Sequence, residues 1–146
     1  MFRKVNTPVL GVIENMSGLT LTGNTSNPNS KININNEELK EFFNKKYFCY
    51  MTGFIAGMPF LGDLEENMRA NRLETPRVKV PKGSIGLTEQ FANVYTFESP
   101  GGWNIIGNTP LNIFDSLNES EPNLINAGDT VIFKEISYND YKNYNE

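Results

Sequence analysis

The strongest constraint on this chain is its punctuation. From Gly53 to Gly128, Gly and Pro divide the sequence into short runs rich in aromatic and β-branched residues. Runs of that length and composition read as strands rather than helices. They are expected at Tyr47–Thr52, Val78–Val80, Ser84–Thr88, Ala92–Thr96, Asn104–Ile106, Leu111–Phe114 and Thr130–Ile136, with one short helix at Glu65–Asn71. Short strands separated by regular turn signals predict a mainly β protein built as a closed or partly closed barrel.

The sharpest of these turns is Ser99-Pro100-Gly101-Gly102-Trp103. Pro100 fixes φ and has no N–H to donate, while the paired glycines let the backbone turn tightly or approach a neighbour closely. The only Trp follows at once and leads into Ile105-Ile106. Such a turn can build the rim of a pocket, or it can be a tight turn over a core Trp. The stretch Gly102–Thr109 imitates the spacing of a phosphate loop, but Asn108 stands where that loop needs Lys, and the segment enters a strand rather than a helix.

Composition removes several kinds of chemistry. The chain has no His and a single Cys, Cys49. An internal disulfide, a Cys/His zinc site and a Ser-His-Asp triad within the chain are therefore excluded. Cys49 lies in the apolar run Tyr47–Met51 and reads as a buried, inert thiol. A net charge of −4 gives no support to nucleic-acid binding. No run is long enough to span a membrane, and no secretory signal opens the chain, so a cytoplasmic location is expected.

Single residues stay open to two readings. Arg77, beside Pro76, could clamp an anion with its planar fork or pair with a surface acid such as Glu74. Ser84 could donate to a ligand or simply satisfy a turn. Phe54, Met58, Pro59 and Phe60 could line a pocket or fill a core. Asp63, Glu65 and Glu66 read as a solvated helix start.

The N-terminal region looks different. Pro8–Ile13 reads as a short strand, and Leu19–Asn33 is a Thr/Asn/Ser-rich loop or linker. A helix is expected from Asn35 or Asn36, with Leu39, Phe42 and Phe43 on one face. Residues 1–34 are thus expected to be a loosely organised tail and linker, and residues 35–146 the helix and barrel domain. Such a tail should add little stability, because it buries little apolar surface.

The Ser99–Asp115 stretch, SPGGWNIIGNTPLNIFD, resembles the signature of a bacterial family. That family contains the B-type subunit of 5-oxoprolinase, the first component of allophanate hydrolase and the sporulation-kinase inhibitor. Gly53–Gly62, Pro76–Gly86 and Ala127–Phe133 fit further blocks of the family in order. The resemblance runs from about Asn35 to Tyr141. It implies a cyclophilin-like β-barrel preceded by a short helix. It also implies the role of a B-type subunit, beside a C-type partner subunit, in an ATP-dependent complex that hydrolyses a lactam or urea-derived amide. The alternatives it leaves are a module that docks on a sensor histidine kinase, and an inactive fusion of gene fragments. Phe54, Pro59, Arg77, Ser84, Ser99, Pro100, Gly101, Gly102 and Trp103 are the candidate substrate- or partner-binding residues. No catalytic residue and no metal ligand is assigned; ATP belongs to the complex, and the chain alone is expected to bind no cofactor and to be inactive.

Departures from the family pattern concern polar positions. Phe42 replaces a His, Ala56 a Pro and Met58 a Phe, while Phe91-Ala92-Asn93 stands where relatives carry Gln-Thr-Gly. Separately, residues 1–17 resemble an internal strand of the Mrp-type P-loop ATPases. The phosphate loop of that family lies upstream of this strand, so no nucleotide site is carried over.

Overall fold

A computed structural model of the chain describes residues 9–14, 20–22, 31–33, 40–43 and 45–144. Alternation along the strands explains how the molecule is assembled. In β4 (Lys46–Thr52), Tyr47 and Cys49 are buried, while Lys46, Phe48 and Tyr50 are exposed. This is the two-residue period of a strand with one face on a core. Further along lie β5 (Pro59–Gly62), β6 (Arg77–Val80), β7 (Ser84–Thr88), β8 (Phe91–Val94), β9 (Ser99–Gly101), β10 (Asn104–Asn108) and β11 (Thr130–Glu135). Before β4 come β1 (Val9–Glu14), β2 (Thr20–Thr22) and β3 (Lys31–Asn33).

The sheet closes on itself in the order β1-β10-β7-β8-β5-β4-β11. Two small ribbons, β2–β3 and β6–β9, stand outside it. The mainly β barrel is therefore present. Closure leaves no free edge, which an open sheet of this width would have to protect.

Two cores share the barrel wall. Inward residues Tyr47, Cys49, Leu61, Ile85, Leu87, Ala92, Val94, Ile106, Val131 and Phe133 form the larger one. Phe42, from the described helical residues 40–43 (α1), plugs it by stacking on Phe133 at 4.8 Å. The smaller core lies outside the wall, where Met58, Val80, Tyr95 and Trp103 pack with Phe60, Phe91 and Ile105. All five residues of β7 are buried because both of its faces are covered.

Several expectations change. Val9–Glu14, expected in a loose tail, is a barrel strand: it pairs in parallel with β11 and antiparallel with β10. Backbone groups on both neighbours need partners once the barrel closes, and this strand supplies them. The expected loop Leu19–Asn33 contains the antiparallel pair β2–β3, for which Thr20, Thr22 and Ile32 supply β-branched residues. The start of the expected helix, including Leu39, lies outside the described residues. Leu111–Phe114 forms no strand; Phe114 makes one isolated bridge to Asn123, since Pro110 lacks the N–H that would extend a ladder. The expected helix at Glu65–Asn71 shrinks to a single 3-10 turn, Glu66–Met68. Glu65 gives it no side-chain cap, and Arg69 is already extended. A short helix α2 (Tyr138–Asn143), capped by Ser137, follows β11.

Removing residues 1–15 should therefore open the seam between β10 and β11. Several ladder bonds of roughly 0.5–1.5 kcal/mol each are lost. Urea titration of the shortened chain should show a drop of about 2 kcal/mol or more, and the bared edges should promote aggregation. An unchanged midpoint would place β1 outside the cooperative fold.

Candidate functional site

The alternation that builds the smaller core also builds a cleft. Phe60, Phe91 and Tyr95 point to the outer face of β5 and β8, opposite the inward Leu61, Ala92 and Val94. Across them lies the turn Pro100-Gly101-Gly102-Trp103. Between the two is a mostly apolar cleft of about 690 Å³, within the size range of small-molecule sites. Its wall is a chain of edge-to-face rings: Tyr50 to Phe91 at 6.1 Å, Phe91 to Phe60 at 6.3 Å, Phe60 to Trp103 at 5.6 Å. Such contacts stabilise beyond simple burial and fix the orientation of each ring.

The turn is pinned from several sides. Gly101 pairs with Arg77 between β9 and β6. The Arg77 guanidinium donates to the Trp103 carbonyl at 2.8 Å, and the Leu73 N–H donates to the Gly102 carbonyl at 2.7 Å. A Cβ on Gly101 would run into the Tyr95 hydroxyl, and one on Gly86 would sit 2.6 Å from Asn93 Oδ1 and 2.9 Å from Trp103 Cβ. Both glycines are there because other atoms need their space. The Tyr95 phenol is pushed up by burial, against hydrogen bonds from Asn93 and the Trp103 backbone and the charges of Arg77 and Arg72. Asn93 is itself fully buried, and its Oδ1 accepts the Gly86 N–H at 3.1 Å.

Of the residues singled out from the sequence, Phe54, Pro100, Gly101, Gly102 and Trp103 line the cleft, as do Met58 and Phe60. Pro59 and Ser99 lie in the neighbouring strands without lining it; Pro59 faces Thr52, and Ser99 faces Val80. Ser84 is buried at the far end of β7, opposite Asn108, and the structure does not bring it to the cleft. Arg77 sits behind the turn and positions it. The sequence marks no binding role for several other lining residues, among them Tyr50, Arg72, Glu89 and Tyr95. The period of two through Phe91, Asn93 and Tyr95 carries the signal for Tyr95. Arg72 lies in an irregular segment with no pattern of its own.

Backbone strain gathers here. Phe54 (φ 69°) and Glu89 (φ 48°) are non-glycine residues in the left-handed region, and both line the cleft. Asp63 (φ 70°) accepts a hydrogen bond from Tyr50 on the rim at 3.0 Å.

With this geometry the class follows. Residues 29–125 match the family model for the carboxyltransferase domain, subdomain C and D, and the chain belongs to that family. Among its relatives, it is similar to the B-type subunit of 5-oxoprolinase from Bacillus subtilis, 44% identical over 70% of this chain and 42% of that protein. It is 49% identical to the corresponding 5-oxoprolinase subunit of Haemophilus influenzae over 60% of this chain and 40% of that protein. The chain thus spans less than half the length of these two relatives. Its fold resembles the crystal structure of a conserved uncharacterized protein from Pyrococcus horikoshii. The TM-score is 0.77 at 30% identity, covering 92% of this chain and 61% of that one.

Two experiments test the packing. Gly101→Ala should destabilise by about 1–3 kcal/mol, the usual scale of overpacking. Paired with Tyr95→Phe, which removes the obstructing hydroxyl, the loss should be smaller than the sum of the two single losses; additive losses in urea titrations would contradict the contact. Separately, burial pushes the Cys49 thiol up to about 11 from 9.0. Folding raises the pKa of this acid, so its contribution is fully present below pH 9 and is lost as pH rises toward 11. The stability of Cys49→Ala should fall less over that range than that of the parent.

Proposed function

We propose that the chain acts as a component, like the B-type subunit, of an ATP-dependent amide-hydrolysing complex of the 5-oxoprolinase type, working with a C-type partner subunit in the cytoplasm. The observation that carries this reading is the Pro100–Trp103 turn. It forms one wall of a cleft inside the region that matches the family. The likeness to proteins named as 5-oxoprolinase subunits supports the reaction class.

The chain's own residues suit binding better than proton transfer. Phe42, where relatives carry His, is a core plug. Phe91, where they carry Gln, is a ring of the cleft wall. Among the described residues no reactive thiol and no carboxylate set faces a common centre in the cleft, and the chain has no His. Its task is to hold a substrate against the turn and present it to groups of the partner, which is positioning rather than acid–base chemistry. Nucleotide is held by the assembled complex.

A second reading, docking on a sensor histidine kinase, draws on Tyr50, Met51 and Phe54, which are exposed along the cleft rim. Large rings and thioethers of this kind anchor protein interfaces.

Co-expression with the C-type subunit of a 5-oxoprolinase separates these. The two chains should co-purify, and 5-oxoproline-dependent ATP turnover should appear only with both present. Failure to co-purify would sink the enzyme-subunit reading; turnover by this chain alone would mean that it carries catalytic groups of its own.

A further inference from the structure

The chemistry of the cleft is more specific than its family. Five rings line its wall, Tyr50, Phe60, Phe91, Tyr95 and Trp103, and Phe54 stands at the mouth with 78% of its surface exposed. Exposure of that order for a Phe held in a left-handed backbone conformation leaves a ring with no protein surface to cover it. One cation faces this space among the described residues: Arg72, whose Nε lies 3.4 Å and Nη2 3.5 Å from where a Cβ on Gly102 would be. The guanidinium therefore lies along the bare Gly102 backbone, at the end of the cleft where Trp103 begins. Among the described residues the ion pairs are Lys45–Glu65 and Lys79–Glu98, and no acid neutralises Arg72. Glu89, also in the lining, makes no ion pair with it.

We infer that this cleft binds a planar aromatic carboxylate. The ring slides between Phe54, Phe91 and Phe60, covering apolar surface that is now wet. The carboxylate lies on the Arg72 fork beside the Gly101-Gly102 backbone, where charge-assisted, two-pronged hydrogen bonds form. A five-membered lactam acid could use the same cation, but it has no aromatic face to offer the wall of rings and leaves much of the 690 Å³ unfilled. The Glu89 carboxylate repels the anion weakly across solvent. The lactam of the proposed complex is held here only together with groups of the partner; the preference for an aromatic acid is that of the chain alone, and requires neither partner nor ATP.

The test is calorimetric titration of the purified full chain with trans-cinnamate, cinnamamide and 5-oxoproline. Cinnamate should bind with Kd below about 1 mM, a modest efficiency for a ligand of its size. Cinnamamide should bind roughly tenfold or more weakly, the scale of a charge-assisted hydrogen bond. 5-Oxoproline should bind more weakly still. Arg72→Gln, on an exposed side chain, should keep its melting temperature and lose the preference for acid over amide. Phe91→Gln should weaken both cinnamyl ligands while keeping that preference, and Glu89→Gln should tighten cinnamate alone. No binding of cinnamate, equal binding of acid and amide, preference retained in Arg72→Gln, or tighter binding of 5-oxoproline would each overturn the inference. Because no partner is present, such a failure leaves the co-purification result to judge the enzyme-subunit reading separately.

Discussion

The structure depends on how closely the Gly101 backbone approaches the Tyr95 hydroxyl. A phenol buried on the outer barrel face needs hydrogen-bond partners, since an unsatisfied hydroxyl there costs about 1–3 kcal/mol. Burial raises its pKa, against which the Asn93 side chain, the Trp103 backbone and the charges of Arg77 and Arg72 all act, so polar groups surround it. That requirement draws the β6–β9 ribbon down onto the barrel, and only a residue without Cβ can occupy the contact. Arg77 and Leu73 then hold the carbonyls on the other side of the turn. The cleft is the space left beside this contact and the packing of Val80 from the same ribbon on Tyr95 and Met58.

The same strands serve both cores, and this couples stability to the site. Leu61 and Ala92 fill the barrel while Phe60 and Phe91, one position away, face the cleft. A register slip in β5 or β8 would exchange the two sets, placing the rings inside and the small aliphatic residues outside. Register is pinned where side chain meets backbone: Asn93 accepts from Gly86 N–H, and Thr96 donates to the Ala56 carbonyl at 2.7 Å. The cleft wall is consequently rigid along the strands. Phe54, in the turn after β4, and Arg72, in an irregular segment, lie outside these strands and are exposed.

Much of the barrel was legible because its strands are short, β-rich and bounded by Gly or Pro. Ser84–Thr88 has the expected limits, and Lys46–Thr52 and Thr130–Glu135 differ by one residue. The turn at Ser99–Trp103 was legible for the same reason, and it does border the cleft. What stayed hidden depends on distant parts of the chain meeting. Val9–Glu14 carries the strand signal, but nothing local says that it closes a barrel by pairing in parallel with a segment more than a hundred residues later. Arg72 is equally silent in sequence, since its relevance comes only from lying against Gly102. Ser84 misled in the opposite direction: a Ser beside a Gly turn looks available, yet strand pairing buries it at the other end of β7.

Phe91, Ala92 and Asn93, which the resemblance sets against a Gln-Thr-Gly pattern, take on meaning from the alternation of β8. Ala92 points inward and belongs to the main core, so its change concerns packing. Phe91 and Asn93 point outward, and they divide the work of that face. Asn93 fills the space beside Gly86, and its Oδ1 accepts the Gly86 N–H. Phe91 completes the aromatic wall from Tyr50 to Trp103. Here the one polar side chain is bonded and the other outward position is apolar, so the strand is internally consistent as the wall of an apolar cleft.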